Sequence, residues 1–483
     1  MPLPTIPSGN VASATAGGYT VDNSCRFSGS DDRLVRDATG TSTESNNKWT
    51  FSCWVKRGKL GAEQMLVDHR SSGSAQFNIR FMSDDSLQAY DVVGGSVLMQ
   101  KDTTAKYRDP SAWMHILWSS DRSISSPTTK LWVNGTEVTS WATDNEYSQD
   151  DTGTANSDAP TWIGEENSSG SNFEGYLAEM VWLDGTFVSG ATDFGEFDTD
   201  GSPTIWKPKD VSGLTFGTNG WYLDFKASAN LGNDANGGTD FGETGIAAAD
   251  QALDSPTNNF ATWNSLYMPT DTAVTFSEGN CKVVSQNASG KYWGAASTIG
   301  ITAGKWYAEF EATSADNKPV FGIVGNPNKK AKDGDWIGEE ADGYGYVADG
   351  GKYNNNTENA SWGSTFTAGD VISVAVDITN LKIYFAKNGT WQDSGDPTSG
   401  STGTGAAFTI LTPTSSSVHD KAYFFACSDQ STGGDTMSAN FGGCPAFTIS
   451  SGNADANGYG NFEYAPPSGY LALCTKNLGS DGG

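Results

Sequence analysis

The sequence predicts an all-β fold made of two antiparallel β-sandwiches of the jelly-roll kind. Apolar and polar residues alternate with period two in many short stretches, clusters of Gly, Asn, Asp, Ser and Thr separate these stretches, and helical periodicity is nearly absent. At 483 residues the chain is too long for one ordinary domain. Two hairpins with the same local pattern then mark two sandwich-like units of about 200 residues each.

The first 20 residues are small and polar with several prolines and glycines, and read as a leader or attachment segment that is either flexible or ordered only against a partner. The first sandwich is expected over 21–227. In 51–56, Phe51, Cys53 and Val55 fall on one face, with Ser52, Trp54 and Lys56 on the other. LWVNGTEV (131–138) runs alternation into Asn-Gly and out again, and Asn-Gly supplies the two positive φ angles of a type I′ turn. In 176–182, alternation puts Tyr176, Ala178, Met180 and Trp182 on one side and Glu179 opposite. Residues 228–270 are rich in Gly, Asn and Asp with little alternation and read as a junction. The second sandwich is expected over 271–450: Ile372, Val374, Val376 and Ile378 share a face, and IYFAKNGTW (383–391) repeats the hairpin pattern. The tail, 451–483, is expected to pack on this second sandwich.

Composition excludes several classes. Glycine accounts for 58 residues, well above the usual ~7%, and Lys plus Arg for only 29, which argues against coiled coils and long-helix bundles. The 16 Trp, 17 Tyr and 23 Phe supply cores although the chain is only 36% hydrophobic. A net charge of −28 repels phosphate backbones, so nucleic acid is not an expected partner. No run approaches the ~18 apolar residues that cross a bilayer, and the N-terminus lacks the basic and apolar regions of a signal peptide. Neither membrane insertion nor export by its own signal is expected. Cys25, Cys53, Cys281, Cys427, Cys444 and Cys474 form no CxxC pair and read as buried thiols. His115, in WMHILW, reads as a packed strand residue.

From Cys25 to about Phe225 the chain resembles the concanavalin-A-like, laminin-G-like lectin/glucanase sandwich, through RFSGSDDRLV, KWTFSCWVKRG, WMHILWSSD, KLWVNGTEV and NFEGYLAEMVWLDG. The second unit resembles a SPRY domain, through GKWYAEFE, VFGIVG, DGYGYVADGGKYNN, GDVISVAVDITNLKIYFAKNG and KAYFFACS. The junction ALDSPTNNFATWN and the tail YAPPSGYLALCTKNL resemble segments of bacteriophage virion proteins that join the same two modules. The resemblance implies a virion protein, assembled in the host cytoplasm and extracellular after lysis. Its expected partners are other virion proteins and a host-surface glycan, and its thiols would begin unpaired.

Glucanases of the lectin-like class place paired carboxylates on alternating strand positions, as retaining hydrolysis requires. The nearest string is EFDTDG (196–201), but Gly195, Gly201 and Pro203 surround it, and a turn is the better reading. Glu196, Asp198 and Asp200 also match the start of a calcium loop, whose twelfth position would be Lys207 instead of a bidentate acid. NADANG (453–458) repeats the spacing. No nucleophilic triad or phosphate loop stands out, so no catalytic residue is assigned.

Binding is the expected activity. In the SPRY-like unit the long loop GGKYNNNTENASWGS (350–364) sets Tyr353 and Trp362 around Asn354, Asn355 and Asn356, with Trp391 as a further candidate. Aromatic faces can stack on sugar rings while amides satisfy hydroxyls. Against this, Trp362 and Trp391 could simply pack on their own sheets, and Trp336 and Tyr344 read as structural. The expected function is thus a non-enzymatic virion appendage (tail fibre, spike or head fibre) that binds host-surface carbohydrate. The rivals are a decoration or assembly protein that binds only virion proteins, and a polysaccharide depolymerase. Phage appendages are commonly trimers, but no heptad or β-helix repeat marks an oligomerisation element, and oligomeric state stays open.

Overall fold

The computed structural model describes residues 18–481 apart from 39, 41–46, 168–169, 199–203, 270–273, 288–289, 316–317 and 432–433. It divides into two compact units, one ending at Asn258 and one beginning at Asn259.

The first unit holds two large antiparallel sheets. One runs in the order Thr136–Glu137, Thr128–Val133, Met114–Asp121, Lys48–Arg57, Glu174–Asp184, Ser24–Ser28, Gln251–Ala252, with Trp221–Leu223 also pairing Glu174–Asp184. The other runs Trp141–Asn145, Ser96–Thr103, Leu87–Val93, Ala75–Phe81, Gln64–Ser72, Thr161–Ile163, Arg33–Arg36, Gly242–Thr244. Alternation explains the core: Phe51, Cys53 and Val55 from the first sheet meet Phe77, Ile79, Phe81, Leu87 and Met99 from the second. Trp49 stacks on Trp182 at 5.5 Å, and Phe77 meets Trp49 edge-on at 4.7 Å. Each such pair adds roughly 0.5–1.5 kcal/mol beyond burial.

Strand Glu174–Asp184 departs from simple alternation. Leu177, Met180 and Trp182 enter the core, whereas Tyr176 packs on the outer face against Trp113 and Lys56. The cause is a bulge: pairing with Lys48–Arg57 slips between Ala178 and Val181, and Glu179 takes φ +47°. One extra residue inverts the phase, so Tyr176 and Trp182, expected on one side, lie on opposite faces. The outer face of this sheet carries a fully buried ion pair, Lys56 Nζ to Asp254 Oδ2 at 2.6 Å, with Trp113 Nε1 donating to Asp254 Oδ1 at 2.8 Å. Within the segment expected as a junction, Gly242–Thr244 and Gln251–Ala252 complete an edge of each sheet.

In the second unit, the larger sheet runs Thr275–Ser277, Lys282–Val284, Thr436–Asn440, Lys305–Ala312, Val371–Asp377, Lys382–Lys387, Thr390–Trp391. The smaller runs Trp293–Ala296, Phe424–Asp429, Pro319–Val324, Gly343–Val347, Lys352–Asn354, Thr357–Asn359. Ile372, Val374, Val376 and Ile378 all point into the core between them, together with Phe310, Phe321 and Phe425. Both Asn-Gly hairpins take the expected turn, with Asn134 and Gly135 at φ +47° and +73° and Asn388 and Gly389 at +47° and +76°. The C-terminal stretch is tied to the larger sheet: Leu471–Ala472 pairs in parallel with Lys305–Ala312, and buried Glu309 receives the backbone N–H groups of Glu463 and Tyr464. Helix is confined to short pieces such as Pro327–Asp333, capped by Asn326 and by Gly334 at φ +72°. Among the described residues no helix is long and apolar enough to cross a membrane.

Candidate functional site

Strand order in the second sheet of the first unit creates a continuous polar face. Phe77 and Ile79 point into the core, so Gln76, Asn78 and Arg80 point the other way. Register then aligns one row across five strands: Gln100 opposite Tyr90, Tyr90 opposite Asn78, Asn78 opposite Asp68, Asp68 opposite Trp162. A flanking row sets Asp102 opposite Gln88 and Gln88 opposite Arg80.

The floor of this face is a hydrogen-bonded network. Asp68 and Asn78 have no exposed surface, and Asn78 Nδ2 donates to Asp68 Oδ1 at 2.5 Å. Asp68 also accepts from Arg70 at 2.9 Å and from the Asn167 backbone N–H at 3.0 Å. Desolvation nonetheless pushes its carboxyl above the usual range. Gln88 donates to Asp102 at 2.7 Å and accepts from Arg80 at 2.8 Å, and Gln100 donates to the other Asp102 oxygen at 2.8 Å. Tyr90, Gln100, Asp102, Arg80 and Trp162 remain partly exposed above this floor. Three polar atoms on the face are shielded from solvent and have no hydrogen-bond partner: Gln76 Oε1, Asn78 Oδ1 and Trp162 Nε1. Above this buried floor the face offers the rings of Tyr90 and Trp162, the Gln100 amide and the Asp102 carboxylate, groups of the kind that polyol ligands use.

The loop expected to bind in the second unit is organised differently. Tyr353 is only 7% exposed, its ring edge-on to Trp336 at 4.8 Å. Asn354 Nδ2 is spent on the carbonyls of Ala341 and Gly343 at 3.0 and 2.9 Å. Asn355 and Asn356, at φ +51° and +53°, form the exposed turn between strands Lys352–Asn354 and Thr357–Asn359. Trp362, partly buried, meets Tyr346 edge-on at 5.4 Å, and the Lys352 ammonium sits 4.9 Å over its ring. Trp391 packs on the opposite side of the larger sheet, 6.5 Å from Tyr384. The hairpin thus unites Tyr353 with the three asparagines, and Trp391 lies apart from Trp362.

Glu196 and Asp198 lie on strand Gly195–Asp198, where a turn was expected, because it pairs with Ile205–Pro208 under the Trp206 ring. Glu196 is flanked by Lys207 at 3.4 Å and Lys209 at 3.6 Å, and Asp198 is buried. Asp200 lies outside the described residues. In the 453–458 string, Asp455 accepts the N–H groups of Asn457, Tyr459 and Ala472 and the Asn477 amide. Its oxygens therefore face donors, the reverse of what a cation needs. Among the described residues no group of three or more His, Cys, Asp and Glu could hold a metal ion. His115 is fully buried, accepts from Trp206 Nε1 at 3.1 Å and lies 2.8 Å from Ser52 Oγ. Burial pushes its imidazole down to about 3, so it stays neutral.

Residues 28–189 match the concanavalin A-like lectin/glucanases superfamily, and residues 305–419 match the SPRY domain. The chain carries a concanavalin A-like lectin/glucanase-type domain followed by a SPRY domain. No curated protein matches it. Among solved structures it is similar to the SPRY domain of human HERC1, with 18% identity over 35% of this chain and 89% of that one and a TM-score of 0.25. A Bacteroides ovatus protein assigned provisionally as carbohydrate binding shares 15% identity over 47% of this chain and 60% of its own, with a TM-score of 0.33. A heptameric SAP-like pentraxin from Limulus polyphemus shares 14% over 35% and 78%, with a TM-score of 0.27. None of the three bears on what this chain binds. The polar face lies wholly within the lectin-like domain, on strands between Arg33 and Ile163.

Proposed function

We propose that the protein is a non-enzymatic saccharide-binding component of a bacteriophage virion appendage, and that its lectin-like domain engages a host-surface glycan through the polar sheet face. The observation that carries the binding part is the single row of Gln100, Tyr90, Asn78, Asp68 and Trp162 on one face. A pyranose has one face of C–H groups and a rim of hydroxyls. Tyr90 or Trp162 takes the first, while the carboxylate of Asp102 and the amide of Gln100 take the second. No carboxylate pair is assigned a hydrolytic role, since Glu196 is flanked by two lysines. The virion placement draws its support from the junction and tail, which resemble phage segments. In this reading the remaining partners are other virion proteins, and the protein is extracellular after lysis.

Two experiments test it. Purified protein should bind isolated host-surface polysaccharide, and the Tyr90→Ala, Gln100→Ala double variant should lose that binding with its unfolding midpoint unchanged. Equal binding by both would refute the site. Locating the protein on the intact particle should place it at a projecting appendage, and a position buried in the shell would refute the adsorption role.

A further inference from the structure

Five asparagines precede a glycine: Asn134, Asn219, Asn236, Asn388 and Asn457. Glycine has no Cβ to hinder its own peptide nitrogen, so each pair can undergo one reaction where the backbone can bend to reach it. The Gly nitrogen attacks the Asn Cγ, a five-membered succinimide closes, and ammonia leaves with the peptide proton. Water then opens the ring at either carbonyl to give aspartate or isoaspartate, a net exchange of ammonia for water. How firmly the fold holds each amide, and the backbone beside it, decides among the five.

Three are clearly held. Asn134 and Asn388 sit in hairpin turns whose flanking residues pair, Val133 with Thr136 and Lys387 with Thr390. Asn134 Oδ1 accepts the His115 N–H at 2.8 Å, and the Asn388 side chain accepts from the Val371 N–H at 2.9 Å and donates to Asp370 at 2.7 Å. Asn219 is buried, its amide donating to the Gly40 carbonyl at 2.8 Å.

The other two lie in the same tetrapeptide, Asp-Ala-Asn-Gly, at 234–237 and 455–458. They also make the same turn. Asp234 accepts the Asn236 N–H on its carboxylate at 3.0 Å and the Gly237 N–H on its carbonyl at 2.8 Å, and Asp455 does likewise with Asn457 at 2.9 Å and Gly458 at 3.0 Å. Both asparagines are exposed, and one bond separates them. Asn457 Nδ2 donates to Oδ1 of the fully buried Asn477 at 2.9 Å. The Asn236 amide has no hydrogen bond to any described residue, and it stands in a stretch, 235–240, that is exposed throughout.

We infer that Asn236 is a site of spontaneous, enzyme-free modification, deamidating through its succinimide while the fold protects the other four Asn-Gly pairs. The consequence falls on the lectin-like unit. Asp234 is buried, and the oxygen that accepts the Asn236 N–H also accepts the Tyr222 N–H at 2.9 Å. An isoaspartate at 236 puts one more carbon into the main chain of this turn and so works against the anchor of strand Trp221–Leu223.

The test ages the intact protein in mildly alkaline buffer, beside the same protein unfolded in urea, and follows each Asn-Gly peptide by mass spectrometry. In the unfolded chain the two Asp-Ala-Asn-Gly segments should convert at similar rates. In the folded protein Asn236 should convert about three- to tenfold faster than Asn457, the factor that one amide hydrogen bond supplies, with Asn134, Asn219 and Asn388 slower than Asn236 as well. Asn236→Ser should remove the earliest acidic species and leave the unfolding midpoint unchanged. Equal rates at 236 and 457 in the folded protein, or earliest conversion at any of the other four, would overturn the assignment. So would an Asn236 that stays intact in the folded protein while the unfolded chain converts.

Discussion

Replacing Glu309 by Gln probes how the C-terminal stretch is held to the SPRY-like unit. Glu309 is fully buried and accepts four hydrogen bonds. Oε1 takes the Tyr307 hydroxyl at 2.9 Å and the Tyr464 N–H at 2.7 Å, while Oε2 takes the Glu463 N–H at 2.8 Å and the Asn440 amide at 3.2 Å. In the variant one oxygen becomes an NH2 group, and whichever way it points it faces one of the two backbone N–H groups. The Tyr307 hydroxyl can rotate to accept, but a peptide N–H cannot. Leaving one buried donor unmet costs roughly 1–3 kcal/mol. For a unit of this size each kcal/mol lowers the midpoint by about 2–4 °C, so a fall of roughly 4–8 °C is expected for an intermediate cost. Differential scanning calorimetry reads the midpoint, and hydrogen exchange should show Glu463 and Tyr464 losing protection. A midpoint within a degree of wild type, with both amides still protected, would refute this account of the tail.

Three further outcomes follow from charged side chains. Asp254→Ala removes the 2.6 Å ion-pair partner of Lys56, whose side chain is 1% exposed, and should destabilise the lectin-like unit by about 3–5 kcal/mol in denaturant titration, whereas Lys56→Met with Asp254→Leu should recover most of the loss; equal cost for both would refute the ion-pair argument. Burial pushes Glu179 up to about 7, so it holds its proton more tightly folded than unfolded; its contribution is complete below about 4.5 and is lost as pH rises to about 7, a fall of up to ~3 kcal/mol that should vanish in Glu179→Gln. An identical pH profile for both proteins would contradict it. Because Lys207 and Lys209 already flank Glu196, millimolar calcium should leave the unfolding midpoint unchanged, and a rise abolished by Glu196→Gln would show the opposite.

The fold was legible where alternation is uninterrupted. Phe51, Cys53 and Val55, and Ile372 through Ile378, enter their cores because nothing breaks the two-residue period. In 176–182 the same reading failed at one residue: Glu179 carries no glycine-like signal, yet its bulge inverts the faces on either side. The candidate site was not legible. Gln76, Asn78, Arg80, Gln88, Tyr90 and Gln100 look in sequence like the solvated side of ordinary strands, and only register makes them neighbours. Trp162 joins them because strand Thr161–Ile163 inserts between Gln64–Ser72 and Arg33–Arg36, a pairing that crosses nearly a hundred residues of chain. The loop 350–364 drew attention through composition, which does not reveal that Asn354 is spent on backbone carbonyls. Neither could spacing distinguish NADANG as an acceptor of N–H groups from a cation loop.

Hydrogen exchange on the intact protein, with and without a saturating host-surface oligosaccharide, tests the central claim most directly. Protection should appear in 76–80, 88–92, 100–102 and 161–163 together, because the row they form is the proposed site. Protection confined to 350–364, or to any region away from that face, would contradict the account.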